Sequence, residues 1–160
     1  VLADAEAFLV QAAVPFAGLV TAALAEAAAH SHGVRFDCAA ETLPARQLRG
    51  PAELLRRALT DLLVTAAHCT PPHQPVTLTS QSGPDTVTLR IATCGKRLPE
   101  EELAVFFDLG EQHTLHKGGA DFGFGPTLAY RVLTRFGATV TVENGRTEGI
   151  VLAATFPVPS

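Results

Sequence analysis

The sequence predicts an α+β protein, a two-layer α/β sandwich in which one helical layer covers a mixed, mostly antiparallel sheet. Three observations carry that expectation. Apolar residues recur in pairs every four positions from Leu54 to Ala66, the broad stripe of a helix that faces a core. Two pairs of segments are joined by turn residues, Ser82-Gly83-Pro84-Asp85 in one case and Asn144-Gly145 in the other, as in hairpins. The other helical segments are interleaved with strands instead of forming a block, which suits helices layered on one face of a sheet.

In chain order, Leu2 to Gln11 has helical spacing, with Leu2, Phe8 and Leu9 apolar and Asp4 and Glu6 polar. Pro15 opens a second helix, as proline does at a first helical position, and this helix runs to about His32 with Gly33 as its stop. Val34, Phe36 and Cys38 alternate with Arg35 and Asp37, a half-buried strand. Glu41 to Gly50, containing Pro44, reads as a loop. Pro51 opens the strongest helix, whose stripe is Leu54, Leu55, Ala58, Leu59, Leu62, Leu63 and Ala66 and whose end is Thr70-Pro71-Pro72. Strands follow at Val76–Ser80 and Thr86–Thr93. Pro99 to Phe107 is a short helix with Glu100, Glu101 and Glu102 in its first turn, where the helix dipole favours anions. Phe106 and Phe107 are expected in the core. Asp108 to Gly125 is a glycine- and histidine-bearing loop, of a length that is usually functional or disordered. Pro126 to Phe136 is a helix stopped by Gly137, and Thr139–Glu143 and Ile150–Phe156 form the last hairpin.

Composition narrows the function classes. The chain has 160 residues, of which 47% are hydrophobic and 18% charged, so it can build one core and is not an extended disordered polymer. A net charge of -4 argues against a general grip on nucleic acid. Cys38, Cys69 and Cys94 are odd in number and widely spaced without a CxxC pair, which fits reduced thiols in a cytosolic chain better than a disulfide framework or a zinc site. The most apolar stretch, Ala12 to Ala29, is mostly alanine and is broken by Pro15, Gly18 and Glu26, too weak a segment to span a bilayer. With no methionine present, residue 1 is expected not to be a translation start, and more protein is expected before it. No signal peptide is visible.

From about Pro15 onward the chain resembles the ATP-binding domain of bacterial sensor histidine kinases. That domain belongs to the GHKL superfamily with gyrase B, Hsp90 and MutL, whose architecture is the Bergerat fold. LLRRALTDLLVTAAHCTPP (Leu54–Pro72) is similar to the asparagine-box helix and its exit. TVTLRIATCGKRLPEEELAVFFDLG (Thr86–Gly110) is similar to the strand, first glycine box and phenylalanine box. GGADFGFGPTLAYRVLTRFGATVTVENG (Gly118–Gly145) is similar to the second glycine box, its helix and the next strand, and GIVLAATFPVP (Gly149–Pro159) to the closing strand. Each motif is weak alone, and their common order and spacing is what makes the match specific. The resemblance covers residues 13–160 as one domain, and residues 1–12 would be the tail of a preceding helical dimerisation domain.

The resemblance also implies site residues. The asparagine box holds Mg²⁺ through side-chain oxygens one helical turn apart, where this chain has Asp61 and Thr65, four positions apart and hence on one face. Asp61 can still touch Mg²⁺, directly or through water, whereas Thr65 offers only a neutral hydroxyl. His68 and Cys69 stand where a basic residue and an aromatic are expected. Thr93 stands where an aspartate would accept the exocyclic amine of adenine, and a hydroxyl lacks the charge assistance of a carboxylate. Gly95 keeps the first glycine of its box, and Arg97 replaces the second. Gly123 and Gly125 precede a helix start whose N–H groups suit a phosphate, with Gly118 and Gly119 as hinges and Lys117, His113 and His116 as lid contacts.

Without the resemblance these residues read more plainly. Asp61 is then a solvated helix carboxylate, His68 a helix-end cation, Cys69 a small buried hydrophobe, and Gly123-Phe124-Gly125 a common prelude to a helix. His68, His113 and His116 lack the spacing of known zinc sites.

The resulting expectation is the ATP-binding domain of a two-component sensor histidine kinase, degenerate, with weak or no ATP binding and a regulatory role, a pseudokinase in effect. Its cofactors would be ATP and Mg²⁺. Its partners would be a histidine-bearing dimerisation domain of the same protein and a response regulator. The full-length protein would be a homodimer, cytoplasmic or the cytosolic part of a membrane-bound sensor, with no nucleic-acid partner. Two rival readings are an active kinase domain in which Asp61 takes the metal, Thr93 reads adenine through water and Lys117 holds the γ-phosphate, and a partner-binding module indifferent to nucleotide.

Overall fold

The computed structural model describes residues 13–31, 33–39, 42–108 and 125–159. The predicted helix of Leu2–Gln11 and most of the Asp108–Gly125 loop, with His113, His116, Lys117, Gly118, Gly119 and Gly123, lie outside the described residues. The elements are β1 (Ala13–Pro15), α1 (Phe16–Ala29), β2 (Arg35–Asp37), β3 (Gln47–Arg49), α2 (Ala52–His68), β4 (Pro75–Ser82), β5 (Thr86–Ala92), α3 (Glu100–Ala104), α4 (Gly125–Arg135), β6 (Thr139–Asn144) and β7 (Ile150–Pro157).

Five strands form one sheet in the order β2-β4-β5-β7-β6. Only β2 and β4 run parallel; the other neighbours are antiparallel. The predicted mixed, mostly antiparallel sheet is therefore present, with α2 packed between α1 and α4. Alternation along the strands explains why the sheet was readable. Val76, Leu78, Val87, Leu89, Ile91, Leu152, Ala154 and Phe156 are buried beneath the helices. The opposite face is polar: the Thr88 and Thr155 hydroxyls meet at 2.9 Å, and Arg90 reaches across β7 to Glu143 at 3.4 Å.

The helices follow their stripes with two corrections. Leu54, expected in the core stripe of α2, is 44% exposed; the buried stripe begins at Leu55 and continues through Ala58, Leu59, Leu62, Leu63 and Ala66. The helix that begins after Pro15 ends at Ala29 instead of near His32. The His30 N–H turns back to the Ala27 carbonyl at 3.1 Å, and Gly33 has φ +82°. Arg56 ties α1 to α2 by pairing with Glu26, and it also holds Glu53 on its own helix at 2.8 Å.

The largest departure from the sequence reading is at the edge of the sandwich. Pro15, expected as a first helical residue, is instead the last residue of β1, and part of the expected Glu41–Gly50 loop is β3. These two short strands pair antiparallel, with Ala13 opposite Arg49, Val14 opposite Leu48 and Pro15 opposite Gln47. Three residues carry no countable alternation, so the pairing was invisible locally. Burial of Val14 and Leu48 supplies the reason for it. The Phe16 N–H donates to the Arg46 carbonyl at 2.8 Å, and the Arg46 guanidinium donates to Ser82 Oγ and to the Gly83 and Pro84 carbonyls in the β4–β5 turn.

Candidate functional site

The end of α2 builds one wall of a pocket of about 450 Å³. Thr70-Pro71-Pro72 cannot continue the helix, so the chain turns away and leaves His68, Cys69 and the two prolines along the pocket edge. The loop after β5 supplies the facing wall through Gly95, Lys96 and Leu98, while Phe106 and Ile150 close it from the sides.

Two glycines set this approach. Gly95 has φ +125°, and a Cβ there would lie 2.9 Å from the Cys69 carbonyl oxygen and 3.2 Å from Pro71 Cδ. A side chain at that position would push the loop off the helix exit. Gly149 has φ +66° and is packed against the Thr93 backbone, and its N–H donates to the Gly95 carbonyl at 2.7 Å. The two glycine-bearing loops are thus joined directly behind the pocket.

Leu98 is held by a side chain that the sequence marked only as a turn former. The Leu98 N–H donates to Asn144 Oδ1 at 2.7 Å, and Asn144 Nδ2 donates to the Leu98 carbonyl at 2.8 Å. Asn144→Ala is expected to cost about 1–3 kcal/mol, because it strands both main-chain groups of a partly buried residue. Urea denaturation of both proteins checks this; an unchanged midpoint would show the strut to be dispensable. Phe106 is buried and meets Phe107 edge to face at 5.1 Å, and Phe107 stacks on Tyr130 of α4 at 4.9 Å.

The residues singled out from sequence fall into different places. His68 and Gly95 share the pocket, as does Cys69, whose thiol burial pushes up to about 12, so that it is protonated at neutral pH. Thr93 is buried behind the pocket, 5% exposed. Its hydroxyl accepts the Ile150 N–H at 2.9 Å and donates to the Ile150 carbonyl at 3.2 Å. Thr65 is 2% exposed, and its hydroxyl donates to the Asp61 main-chain carbonyl at 2.8 Å. Thr70 is spent in the same way on the Ala66 carbonyl at 3.0 Å. Arg97 is exposed on the loop after β5.

Asp61 lies about two helical turns before His68 on α2. Partial burial raises its pKa, and Arg57, with Nε 3.7 Å from Oδ1, opposes that shift. Gly125, the first residue of α4, adjoins it: a Cβ on Gly125 would lie 3.8 Å from Asp61 Cβ. The one carboxylate of the candidate metal pair therefore faces the start of a helix. Lys117, Gly119 and Gly123, also singled out from sequence, lie outside the described residues. Among the described residues no group of three or more His, Cys, Asp or Glu side chains is arranged to hold a metal ion. Sequence reasoning missed Lys96, Leu98, Asn144 and Ile150; of these only Lys96 carried a cue, its place directly after Gly95.

The family described as histidine kinase-, DNA gyrase B- and HSP90-like ATPase matches residues 50–160. Among solved structures, the mycobacterial sensor histidine kinase MprB is similar with a TM-score of 0.78 at 20% identity, covering 93% of this chain and 98% of that one. The ATP-binding domain of PrrB from Mycobacterium tuberculosis gives 0.74 at 22% identity, covering 94% and 99%. Full-length ShkA, solved in complex with AMPPNP, gives 0.69 at 18% identity, covering 94% of this chain and 32% of that chain. No curated protein matches by sequence. At these identities the likeness is one of fold.

Proposed function

The chain belongs to the histidine kinase-, DNA gyrase B- and HSP90-like ATPase family, and from that premise we propose that it is the ATP-binding domain of a two-component sensor histidine kinase whose nucleotide site is degenerate. It binds ATP weakly or not at all and acts mainly as a regulatory module. Its partners are a histidine-bearing dimerisation domain of the same protein, within a homodimer, and a response regulator. Its place is the cytoplasm or the cytosolic side of a membrane-bound sensor; among the described residues no helix is long and apolar enough to cross a membrane.

The observation that carries this reading is the state of two hydroxyls. Thr65 and Thr93 occupy positions where the resemblance expects a metal ligand and an adenine acceptor. Both spend their hydroxyls on main-chain carbonyls. Each missing contact costs about 1–3 kcal/mol of binding where its partner group is left unpaired, so two losses weaken affinity by roughly a hundredfold or more.

Mg²⁺ takes six oxygen ligands and commonly uses one or two carboxylates together with waters and substrate phosphates. Asp61 fits that modest role and would hold the ion beside the start of α4. When bound, the ion would neutralise phosphate charge. Lys96 and the exposed Arg97 stand on the loop after β5, where cations favour an anionic ligand.

Titration of the protein with ATP, with and without Mg²⁺, tests the proposal. The expected dissociation constant is about 100 µM or weaker, roughly a hundredfold above a micromolar site, and Asp61→Asn leaves it nearly unchanged. Micromolar binding that needs Mg²⁺ would overturn the degenerate reading. A second reading, an active kinase domain, draws on Asp61 alone; its signature is Mg²⁺-dependent binding that the Asp61→Asn variant loses.

A further inference from the structure

The five-stranded sheet ends in β2 on one side and β6 on the other, and the two edges are finished differently. β2 is three residues long and carries Arg35 and Asp37, which pair with each other at 3.0 Å. Short length and charge keep such an edge from pairing further. β6 runs six residues, Thr139–Asn144, with one charge and neither proline nor lysine. It meets β7 one residue for one, without a bulge. Among the described residues no strand or loop main chain bonds its outer side.

The register fixes what that edge offers. The Ile150 carbonyl accepts the Thr93 N–H, on the β5 side, at 2.9 Å. Main-chain groups alternate sides along a strand, so Ile150, Leu152 and Ala154 turn to β5, and Val151, Ala153 and Thr155 turn to β6. Opposite the latter stand Glu143, Thr141 and Thr139. Val140 and Val142, which alternate with them, therefore hold their N–H and C=O groups outward. The tail after β7 leaves on the far side, where the Val158 N–H donates to the Asp85 carbonyl at 2.8 Å, so it does not cover this edge.

The side chains specify what fits there. Val140 is buried and Val142 partly buried, whereas Thr139, Thr141 and Glu143 are exposed on the other face of the strand. The order valine-threonine-valine reads the same in both directions. A second β6 laid antiparallel about Thr141 sets Val140 opposite Val142 and Thr141 opposite its own counterpart, so apolar meets apolar on one face and hydroxyl meets hydroxyl on the other. In that register the outward groups of Val140 and Val142 are the ones that exchange N–H···O bonds.

We propose that β6 is the seam of a two-fold dimer, in which a second copy of this chain pairs antiparallel about Thr141 and the two sheets continue as one. Both helical layers then lie on the same face of the joined sheet. Strand pairing covers little area, so the dimer is weak by itself. It is separate from any dimerisation domain, uses no group of the His68 pocket, and stands whether or not that pocket binds nucleotide.

Sedimentation and amide exchange of the whole chain test it, under reducing conditions because Cys38, Cys69 and Cys94 are free thiols. The wild type should pass from monomer to dimer with a dissociation constant of about 100 µM. As it does, the Val140 and Val142 amides should exchange more slowly, while those of Thr139 and Thr141, already bonded to β7, change little. Thr141 lies on the two-fold axis, so Thr141→Lys sets like charges against each other and should weaken the dimer about fivefold or more, as should Thr141→Glu. An equimolar mixture of the two variants should associate again. Thr141 is exposed, so both variants should fold, and the amide readout on the wild type needs neither. A chain still monomeric at about 1 mM would overturn the proposal. So would Val140 and Val142 protection that is independent of concentration, which would assign the edge to another segment of the same chain. A dimer indifferent to both charges, or variants that stay apart when mixed, would overturn it too.

Discussion

Gly149→Ala is expected to lower the melting temperature by about 10 °C or more, or to leave no soluble folded protein. The cause is steric and local. A Cβ on Gly149 would lie 2.0 Å from the Thr93 carbonyl oxygen and 2.7 Å from both the Thr93 carbonyl carbon and Oγ1. None of these atoms is the loose end of a side chain. The Thr93 N–H and hydroxyl are both bonded to Ile150, so β5 cannot yield without breaking its link to β7. The residue also has φ +66°, where a side chain costs about 1–2 kcal/mol before any clash. Together these place the substitution in the exceptional class above about 4 kcal/mol. Gly33→Ala is the control. Its φ is +82°, but nothing lies within 4 Å of its would-be Cβ, so only the backbone cost of about 1–2 kcal/mol applies. Thermal unfolding followed by circular dichroism separates the two, and equal melting temperatures for both variants would refute the clash argument.

Phe16→Ala is expected to cost about 3–5 kcal/mol. Phe16 is fully buried and packs edge to face on Phe156 with ring centroids 6.1 Å apart. It is the first residue of α1 and directly follows β1, so one ring joins the helical layer, the last strand and the small β1–β3 pair. Its removal leaves a cavity that the flanking backbone cannot fill, because the Phe16 N–H is anchored on the Arg46 carbonyl. Leu128→Ala, at a residue 51% exposed on α4, should stay within about 0.5 kcal/mol. Guanidinium denaturation of the two variants gives the comparison; a Phe16→Ala loss no larger than that of Leu128→Ala would mean that the ring is not a joint between layers.

The candidate site was legible only where its signals were local or carried by the resemblance. Asp61 and Thr65 share a helix face by spacing, and Gly95 was marked by the resemblance to the first glycine box. The direction of the Thr65 and Thr93 hydroxyls was not legible. A threonine on a helix chooses between outside ligands and the carbonyl four residues back, and burial decides the choice. Asn144 looked like half of an Asn-Gly turn, yet its amide braces Leu98, 46 positions away in the chain.

Local sequence was enough to specify the class of the fold, the long helix α2 and the two hairpins. Each of these rests on a periodicity or a turn chemistry contained within a few neighbouring residues. Long-range packing set the rest: residues 13–15 and 47–49 pair as strands, Leu54 leaves the core stripe, Gly149 must lack a side chain, and a groove opens beside β3. Those features depend on contacts between distant segments. Their energy comes from burial and exclusion that no local window of sequence contains.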